Sequence, residues 1–468
     1  MNLRVSAAVV AGKIAFWLSK KKGYKGSSLP GMVALKIYSG TLRELAAQVR
    51  KQIIVVSGTN GKTTTSNMLF GILSAAGYKN IANLEGANLV SGVTASFIKS
   101  ARLSGTIDCD YAVLEVDEAT MPIVLKELSP GAVILTNFFR DQLDRYWELD
   151  KVTGVIRKSL KNSGKNITLI LNADDPLVAQ FERTTGLPVV FYGLSGSERS
   201  VSTSTQTREA QYCPFCGSPL GYDFYHYGQL GRYRCNGCGF ARPLARVEAG
   251  KPGIKDGVVN CRLYFDRQEA ALTMQVQGLY NLYNAMAAFA VGLHLGVEVP
   301  VMLESLGKYS PVLGRLERFH YQGRSAFLSL VKNPTGFNEG LADLRSIKGT
   351  KSVFFAINDN DADGRDISWL WDVDFEILNT DCNDLAIFIC SGSRGEEIAL
   401  RLKYAGIPVN KIVVYKDMGK GIRSALDSPT DMAYLFSTYT ALWPVHKILN
   451  SMADKEEGPY ASGVSSVS

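Results

Sequence analysis

The sequence has few histidines, no long apolar run and only a modest net charge. Each of these features excludes a class of protein. Only 4 of the 468 residues are histidine, so a catalytic centre built from several histidines is not expected. No apolar run predicts a membrane span, because the N-terminal stretch 5–18 is interrupted by Lys13 and lacks a signal-peptide cleavage site. The 8 cysteines do not suggest a secreted disulfide scaffold in so long a chain. The net charge of +7 suits an anionic substrate or an acidic membrane surface, but alone it does not indicate nucleic-acid binding.

The composition that remains is that of an ordinary globular protein. With 46% hydrophobic and 20% charged residues, the chain has ample material for a core, which excludes a disordered or collagen-like chain. Its length predicts about three domains. The stretch 5–18 is expected to form an amphipathic helix on the first domain, with a membrane-surface anchor as the alternative. We expect a cytoplasmic protein, with peripheral contact at the inner face of the membrane under that alternative.

From residue 52 onward, short apolar runs alternate with helical patterns, which is typical of βαβ units and a mostly parallel sheet. The predicted strands of this first unit are 53–56, 111–114, 132–135 and 168–171. Residues 259–276 alternate as antiparallel strands do, and helices are predicted over 62–76 and 279–295. A second α/β unit follows residue 315. Its predicted strands are 326–330, 353–357, 385–389 and 433–436.

These patterns predict the domain organisation. Residues 1–50 form an N-terminal helical segment, and residues 51–310 form a central domain interrupted by a cysteine-bearing insertion at about 208–245. A C-terminal α/β domain spans 311–453, and a flexible tail spans 454–468.

The most specific motif is a glycine-rich loop between a predicted strand and a predicted helix. It consists of Gly58, Thr59, Asn60, Gly61, Lys62, Thr63 and Thr64. In such a loop the backbone N–H groups wrap a phosphate, and the helix N-terminus adds a favourable dipole. Lys62 would reach the terminal phosphates, and the Thr63 hydroxyl would take a Mg²⁺ position. The strict pattern has glycine where this chain has Val56, but the strand–loop–helix context argues against a chance match.

An acidic segment after another predicted strand offers the further oxygen ligands that Mg²⁺ needs. Glu115 is the preferred ligand, because the carboxyl ends of parallel strands present the ligand-binding groups of an open α/β sheet. Solvated acids at a strand end are the alternative.

Four cysteines have the spacing of a zinc ribbon. Cys213 and Cys216 form one Cys-x-x-Cys pair, and Cys235 and Cys238 form the second. Two such pairs can close a tetrahedron of thiolates around Zn²⁺, which leaves no position for water and so predicts a structural site. A ribbon can also bind nucleic acid or protein, but a solvated basic face is the preferred interpretation of the arginines nearby.

A second acidic cluster, Asp359, Asp361, Asp363 and Gly364, opens like a calcium-binding loop. Its twelfth position is Leu370 instead of glutamate, and the loop follows a predicted strand instead of a helix, so the calcium interpretation fails. Asp359 falls at the carboxyl end of that strand, where ligand-facing residues lie. A turn rich in Asp and Asn is the alternative.

Taken together and in this order, these residues resemble the Mur ligase family, and within it the MurT family. The further motifs that carry the resemblance are Thr136-Asn137, Asp141-Gln142-Leu143-Asp144-Arg145, Asn172-Ala173-Asp174-Asp175-Pro176, Gly278-Leu279-Tyr280-Asn281, Asn284-Ala285 and Gly314-Arg315-Leu316-Glu317. The four-cysteine insertion and the Asp359 motif favour the MurT branch. So does the early phosphate loop, since the usual N-terminal domain that holds a UDP-sugar is expected to be missing.

The resemblance implies a fold, a set of cofactors and several residue roles. The fold is a Mur-ligase-like ATP-binding domain of mostly parallel sheet with an inserted Cys₄ zinc ribbon, followed by a Rossmann-like α/β domain. The cofactors are ATP, Mg²⁺ and structural Zn²⁺, with Asn281 near the adenine and Arg315 reaching the nucleotide from the domain junction. Lys62, Glu115 and Asp359 are the implied catalytic residues. Asp359 would complete a Cys-His-Asp triad with a GatD-type glutaminase subunit.

The implied reaction is the ATP-dependent amidation of the α-carboxylate of D-isoglutamate in the stem peptide of lipid II, during peptidoglycan biosynthesis. It proceeds through an acyl phosphate with ammonia from the glutaminase. Lipid II would be met at the inner membrane surface, and no nucleic-acid partner is expected. One departure concerns Gln142, which stands where conventional Mur ligases have a histidine that binds a second metal ion.

Two other activities compete with this one. A conventional Mur or folylpolyglutamate-type amino-acid ligase would add a residue instead of ammonia, and the expected lack of a UDP-binding domain argues against it. A nucleic-acid-associated ATPase with a zinc ribbon would show DNA- or RNA-stimulated ATP hydrolysis. A non-catalytic scaffold would need a dead phosphate loop, whereas Lys62 and Thr63 are intact.

Overall fold

The computed structural model shows two α/β units joined in one chain. It describes residues 2–21, 27–83, 87–140, 149–164, 166–203, 206, 208–255, 257–276, 278–310, 315–379 and 384–455. The helices are α1 (Leu3–Lys21), α2 (Leu29–Ile37), α3 (Thr41–Ala46), α4 (Lys62–Ala75), α5 (Val90–Ser100), α6 (Met121–Glu127), α7 (Leu149–Asn162), α8 (Pro176–Thr185), α9 (Leu279–His294), α10 (Val299–Gly307), α11 (Pro334–Ser346), α12 (Gly395–Tyr404), α13 (Met418–Asp427) and α14 (Tyr439–Met452).

The strands are named in the same way, in chain order. They are β1 (Gln52–Ser57), β2 (Asn80–Ala82), β3 (Tyr111–Glu115), β4 (Ala132–Leu135), β5 (Thr168–Asn172), β6 (Val189–Leu194), β7 (Leu220–Tyr227), β8 (Leu230–Cys235), β9 (Val247–Ala249), β10 (Gly253–Lys255), β11 (Val258–Phe265), β12 (Gln268–Met274), β13 (Arg315–Tyr321), β14 (Arg324–Leu330), β15 (Lys351–Ala356), β16 (Leu385–Ser391), β17 (Ile412–Val414), β18 (Met432–Ser437) and β19 (Asp454–Lys455).

The first sheet has the order β10-β11-β9-β6-β5-β4-β1-β3-β2, with β12 paired to β11. Its pairs from β2 to β9 are parallel, and β9, β10 and β12 are antiparallel to β11. Helices cover both faces, so successive residues of β1 enter different cores. Ile53 and Val55 pack with α5, α7 and α8, whereas Ile54 and Val56 pack with α4 and α9. This explains why the strand is continuously apolar.

The cysteine-bearing segment leaves this sheet after β6 and returns to it at β9. Those two strands are neighbours, with Tyr192 opposite Val247. Between them, β7 and β8 form a separate antiparallel hairpin.

The second sheet has the order β17-β16-β15-β18-β14-β13-β19. It is parallel from β17 to β14, and β13 is antiparallel to both β14 and β19. Its two faces carry separate cores, one around Phe337 and Phe355 and the other around Phe354 and Leu435.

At the N-terminus, α1 and α2 pack against α5 through small residues. A Cβ at Gly12 would lie 2.9 Å from Ile98 Cγ2, and a Cβ at Gly31 would lie 1.9 Å from Ser91 O, so both positions require glycine. Among the described helices, none combines the length and the apolar character that a membrane span needs.

The strands predicted from apolar runs and the helices predicted over 62–76 and 279–295 are confirmed to within a few residues. The antiparallel prediction for residues 259–276 is confirmed by β11 and β12. The strands that were not predicted are β2, β6, β7, β8, β9, β10, β13, β17 and β19.

Candidate nucleotide site and cysteine cluster

The glycine-rich loop lies where three neighbouring strands end. In the sheet, β1 lies between β4 and β3, so the loop after β1 meets Glu115 at the end of β3 and Thr136 just after β4. Gly58 and Gly61 have φ angles of 119° and 87°, which residues with a Cβ rarely adopt. A Cβ at Gly58 would lie 2.3 Å from Thr136 Oγ1, and a Cβ at Gly61 would lie 2.1 Å from Asn284 Oδ1. Both glycines are therefore required by conformation and by space.

The segment after β4 fixes the loop by hydrogen bonds. The N–H of Thr59 donates to Asn137 O at 2.8 Å, and the N–H of Asn60 donates to Asn137 Oδ1 at 2.9 Å. The hydroxyl of Thr136 donates to Asn60 O at 2.7 Å. The Thr59 hydroxyl accepts from the N–H of Phe139 and donates to its carbonyl, both at 3.1 Å. The loop is thus held rigidly before any ligand arrives, which is what a preorganised phosphate site needs.

Lys62 begins α4 and is buried. Its Nζ donates to Gly58 O at 2.6 Å and lies 3.2 Å from Glu118 Oε1. Glu118 is also buried, at 6% exposure. Sequence reasoning placed Glu118 in the acidic segment but gave it no role. Its position three residues beyond the end of β3 was the available signal.

Thr63 and Glu115 come together as a pair of oxygen ligands. The Thr63 hydroxyl donates to Glu115 Oε2 at 2.7 Å, and the amide of Asn88 donates to Oε1 at 3.2 Å. Asn83 fixes the backbone of Glu115 from both sides, accepting from its N–H at 2.8 Å and donating to its carbonyl at 2.7 Å. Hydroxyl and carboxylate oxygens are the donors that Mg²⁺ prefers, so the chemistry of this pair fits that ion.

On the other side of α4, α9 supplies two asparagines. Asn281 and Asn284 are buried, and the amide of Asn284 donates to Asn281 Oδ1 at 3.3 Å. Asn284 Oδ1 also accepts from the Thr65 hydroxyl at 3.3 Å. Asn281 is therefore linked to the first turn of α4 through the side chain of Asn284. Thr64 is buried in that turn.

The second α/β unit closes over the loop with two residues that sequence reasoning missed. Lys332 Nζ donates to Thr59 O at 3.1 Å. Asn333 Nδ2 donates to Asn60 Oδ1 at 3.0 Å, and its own Oδ1 caps α11 by accepting from the N–H of Gly336 at 2.9 Å. Asn followed by proline is a helix-start signal, which could have located the cap but not the loop that it faces.

The side chains of Gln142 and Arg315 lie outside the described part of the structure. The segment 141–148, which includes Gln142, lies outside the described residues. Arg315 begins β13, opposite Ser329, and the description of Arg315 is limited to its backbone.

The four predicted cysteines converge, and within the described residues they form the one cluster of potential ligands that could hold a metal. Their sulfur atoms all lie within 4.8 Å of one another, with Cys213 Sγ 3.5 Å from Cys238 Sγ and Cys216 Sγ 3.4 Å from Cys235 Sγ. These separations are far longer than the roughly 2.05 Å of a disulfide. They are close to the edges of about 3.8 Å that a tetrahedron with Zn–S bonds of about 2.3 Å requires.

Both cysteine knuckles have the same backbone turn. Gly217 and Gly239, which follow the second cysteine of each pair, have φ angles of 71°. Their N–H groups donate to Cys213 O at 3.0 Å and to Cys235 O at 3.1 Å. This repeated turn directs both thiols of a pair to one point.

The hairpin that carries the second knuckle is bonded into the central domain. Gln229 Nε2 donates to Phe138 O at 2.7 Å and to Asp175 Oδ1 at 2.9 Å. Arg242 Nε pairs with Asp174 Oδ1 at 2.5 Å. Since Phe139 contacts Thr59, the hairpin lies two residues away from the phosphate loop.

The acidic residues after β15 do not converge on one point. Asp359 pairs with Arg394 at 2.6 Å and accepts from the Ser393 hydroxyl at 2.8 Å. These hydrogen bonds, with that of Arg394 the stronger, hold the pKa of Asp359 below its usual range. Asp363 is buried and accepts from the N–H of Thr440 at 2.7 Å, in the first turn of α14, whereas Asp361 is exposed and pairs with Arg365.

Two buried acids lie on α11, beyond its cap. Burial, and to a smaller extent the nearby Asp343, raise the pKa of Glu339 to about 8. Burial also raises the pKa of Asp343 to about 6, although Arg199 pairs with Asp343 Oδ1 at 3.2 Å. Sequence reasoning gave these acids no role.

Comparisons with known proteins agree with this geometry. The family model of the Mur ligase middle domain matches residues 56–235, and that of the MurT ligase C-terminal domain matches residues 330–442. The lipid II isoglutaminyl synthase (glutamine-hydrolyzing) subunit MurT of Staphylococcus aureus (strain N315) is 38% identical over 448 residues, covering 96% of this chain and 98% of that protein. The chain belongs to the MurT family.

A second MurT subunit, from Streptococcus pneumoniae (strain ATCC BAA-255 / R6), is 33% identical over 96% of this chain and 98% of its own length. Among solved structures, a pseudomurein peptide ligase type C from Methanothermus fervidus has a TM-score of 0.65 at 22% identity, covering 87% of this chain and 80% of that chain. The Mur-ligase-like α/β fold is therefore confirmed, and the chain is a ligase of the Mur type. Membership of this family implies the use of ATP.

Proposed function

We propose that this chain is the synthetase subunit of an enzyme that amidates the α-carboxylate of D-isoglutamate in the stem peptide of lipid II. The proposal rests on sequence similarity. The chain is 38% and 33% identical, over 96% of its length, to two MurT subunits named for lipid II isoglutaminyl synthase. ATP supplies the energy, and ammonia comes from a GatD-type glutaminase subunit. The enzyme would work in the cytoplasm, where it meets lipid II at the inner membrane surface.

In the first step, an oxygen of the substrate carboxylate forms a bond to the γ-phosphorus of ATP. The bond between that phosphorus and the β–γ bridging oxygen breaks, and ADP leaves. Such transfer depends mostly on positioning and on neutralising phosphate charge. Lys62 at the loop supplies one positive charge, and Lys332 supplies a second from the other α/β unit, since its Nζ already lies 3.1 Å from Thr59 O.

Mg²⁺ would be held by Thr63 and Glu115, and when bound it neutralises phosphate charge. The support for these ligands is the 2.7 Å contact between the two side chains at the end of β3. Asn88 orients the same carboxylate. Glu115→Gln should therefore lower the amidation rate about a hundredfold and raise the Mg²⁺ concentration that is needed. Glu127→Gln, which alters an exposed pair with Arg43, should do neither.

In the second step, the nitrogen of ammonia forms a bond to the acyl carbon, and phosphate leaves as the C–O bond breaks. The nitrogen loses a proton to complete the amide. Unprotonated ammonia is a good nucleophile, so this step needs a dry route more than a strong base. We therefore expect no glutamine hydrolysis by the chain alone, and partial replacement of the partner by added ammonium.

The partner would dock around Asp359. The loop that follows β15 is tied to α14, because the amide of Asn360 donates to the Thr440 hydroxyl at 2.8 Å. On that helix, Tyr439 and Trp443 are 54% and 48% exposed, and aromatic side chains are enriched at protein interfaces. Asp359 would orient the histidine of the partner's Cys-His pair, fixing its tautomer. Asp359→Asn should abolish glutamine-dependent amidation and preserve ammonium-dependent amidation.

The four cysteines would hold a structural Zn²⁺. A closed set of four thiolates leaves no open coordination position, so this site takes no part in the reaction.

The decisive experiment is mass spectrometry of lipid II after incubation with ATP, Mg²⁺, glutamine and both subunits. A mass lowered by the difference between an OH and an NH₂ group, and lost with Lys62→Ala, supports amidation. An added amino-acid mass would move the chain to the conventional ligases. An unchanged mass with ammonium supplied would overturn the proposal.

A further inference from the structure

Helix α1 is apolar on two opposite sides. Its inner side, which includes Val5, Val9 and Gly12, is buried against α2 and α5. Its outer side is exposed, and the residues there are Leu3, Ala7, Val10, Ile14, Trp17 and Leu18. Leu3, Ala7, Val10, Ile14 and Trp17 follow each other at three or four residues, and Leu18 lies four residues after Ile14, so the six form one stripe along the helix. We name this stripe the outer face of α1.

The neighbouring helix also exposes apolar side chains. On α2, Leu29, Met32 and Ile37 are exposed. The close approach of Gly12 to Ile98 and of Gly31 to Ser91 packs both helices tightly onto α5. Exposed apolar side chains on two adjacent helices are typical of a binding surface.

The segment 1–43, which carries this surface, has charged side chains of one sign. The first 43 residues contain no Asp or Glu. They contain eight basic residues, which are Arg4, Lys13, Lys20, Lys21, Lys22, Lys25, Lys36 and Arg43. At the end of the outer face, Lys20 and Lys21 lie over the rings of Phe16 and Trp17, with Nζ 5.1 Å and 5.2 Å from the ring centroids.

We infer that the outer face of α1 lies on an anionic lipid bilayer, with its apolar side chains at the level of the head groups. An apolar stripe with an interfacial tryptophan and flanking lysines is the pattern of a helix that rests in the membrane interface. Basic side chains beside a membrane gain from the negative surface potential of its lipids. The absence of acidic residues from the first 43 positions favours this occupant over a second copy of the chain, because two such surfaces would repel each other.

The surface is also well placed for a lipid-anchored substrate. Helix α2 touches the first turn of α5 at Ser91, and Asn88, just before that turn, donates to Glu115. Helix α1, which carries the outer face, thus packs on α2 and α5, and α5 begins two residues after Asn88. The link between this surface and substrate access rests on the proposed lipid II substrate. Binding of the surface to a bilayer does not depend on that proposal.

The test is co-sedimentation of the full chain with vesicles, without ATP or substrate, so that its failure is distinct from failure of the proposed reaction. The wild-type chain should sediment with phosphatidylglycerol vesicles and remain in solution with phosphatidylcholine vesicles. The double variant Ile14→Glu, Trp17→Glu should bind phosphatidylglycerol at least tenfold more weakly. Lys20→Gln with Lys21→Gln should weaken binding and reduce its dependence on salt.

A matched control comes from α12, where Leu400 and Tyr404 are 47% and 69% exposed, compared with 54% and 60% for Ile14 and Trp17. Leu400→Glu with Tyr404→Glu should bind vesicles as the wild type does. Equal thermal stability of the two double variants would exclude unfolding as the cause of lost binding.

Two results would overturn the inference. One is a wild-type chain that stays in solution with phosphatidylglycerol vesicles. The other is an Ile14→Glu, Trp17→Glu variant that binds them undiminished. A wild-type dimer that dissociates with this variant, without vesicle binding, would assign the surface to a second copy instead.

Discussion

The side-chain amides of Asn60 and Asn333 face each other across the two α/β units, with Asn333 Nδ2 3.0 Å from Asn60 Oδ1. One residue belongs to the phosphate loop, and the other caps α11. The contact therefore links the candidate phosphate loop to the N-terminus of α11. A ligand that displaced the Asn60 side chain would also disturb the second α/β unit.

Asn333→Ala should separate the two roles of this residue when it is compared with a second cap. Asp417 caps α13 by accepting from the N–H of Lys420 at 2.9 Å and lies away from the loop. Each alanine variant should lower the free energy of unfolding by about 1 kcal/mol. Only Asn333→Ala should also raise the KM for ATP, because it alone removes the contact with Asn60. Equal KM values for both variants would show that the loop contact is without effect.

Zinc content provides a direct measurement of the cysteine cluster. The wild-type chain should contain one Zn²⁺, and Cys213→Ser should lose it together with several degrees of Tm, because a structural site contributes to folding. Cys261 lies outside the cluster. Cys261→Ser should keep the metal, and a Cys213→Ser chain with full zinc content would refute the site.

Arg394 is expected to position Asp359 for the partner. Arg394→Ala removes the 2.6 Å pair and should lower the kcat for glutamine hydrolysis by the complex about tenfold, since small misplacements of a catalytic group are costly. The KM for glutamine should not change. Arg365→Ala, which breaks the pair with exposed Asp361, serves as the control and should leave kcat intact. An unaltered kcat in Arg394→Ala would leave the orientation of Asp359 to Ser393.

Stability should depend on pH through Glu339. Its pKa is about 8 in the folded chain and about 4.3 in an unfolded one. Between these values the folded state binds more protons, so its stability is greatest below about pH 4 and falls as pH rises towards 8. The Tm of Glu339→Gln minus that of the wild type should therefore increase from pH 5 to pH 8. A difference that stays constant from pH 5 to pH 8 for Glu339→Gln would contradict the raised pKa.

Local patterns predicted most of the fold and the inner part of the site. Continuous apolar residues indicate buried strands such as β1. The residue types and spacing from Gly58 to Thr64 indicate a phosphate-binding loop. The meeting of Thr63 with Glu115 followed from the rule that parallel strands end at one edge. The zinc-ribbon spacing of the four cysteines predicted that their sulfur atoms would meet.

The contacts that sequence could not predict are those between distant segments. Lys332 and Asn333 reach the loop because of how the two α/β units are oriented. The apolar pattern of the sequence gives no information about that orientation. Gln229 lies in a turn whose sequence does not indicate the carbonyl of Phe138 as its partner. The order of the strands, with β9 beside β6, likewise depends on packing over long sequence distances.

Because Gln229 and Arg242 bond to buried groups of the central domain, the ribbon cannot be removed or replaced without disturbing that domain. Asp174 and Asp175 are fully buried in the central domain, and these two residues of the insertion compensate their carboxylates. A deletion variant lacking residues 208–245 would leave the carboxylate of Asp174 buried without Arg242, at a cost of about 3–5 kcal/mol for a broken buried pair. The insertion and the central domain should therefore depend on each other for folding, and a chain without residues 208–245 is expected in the insoluble fraction.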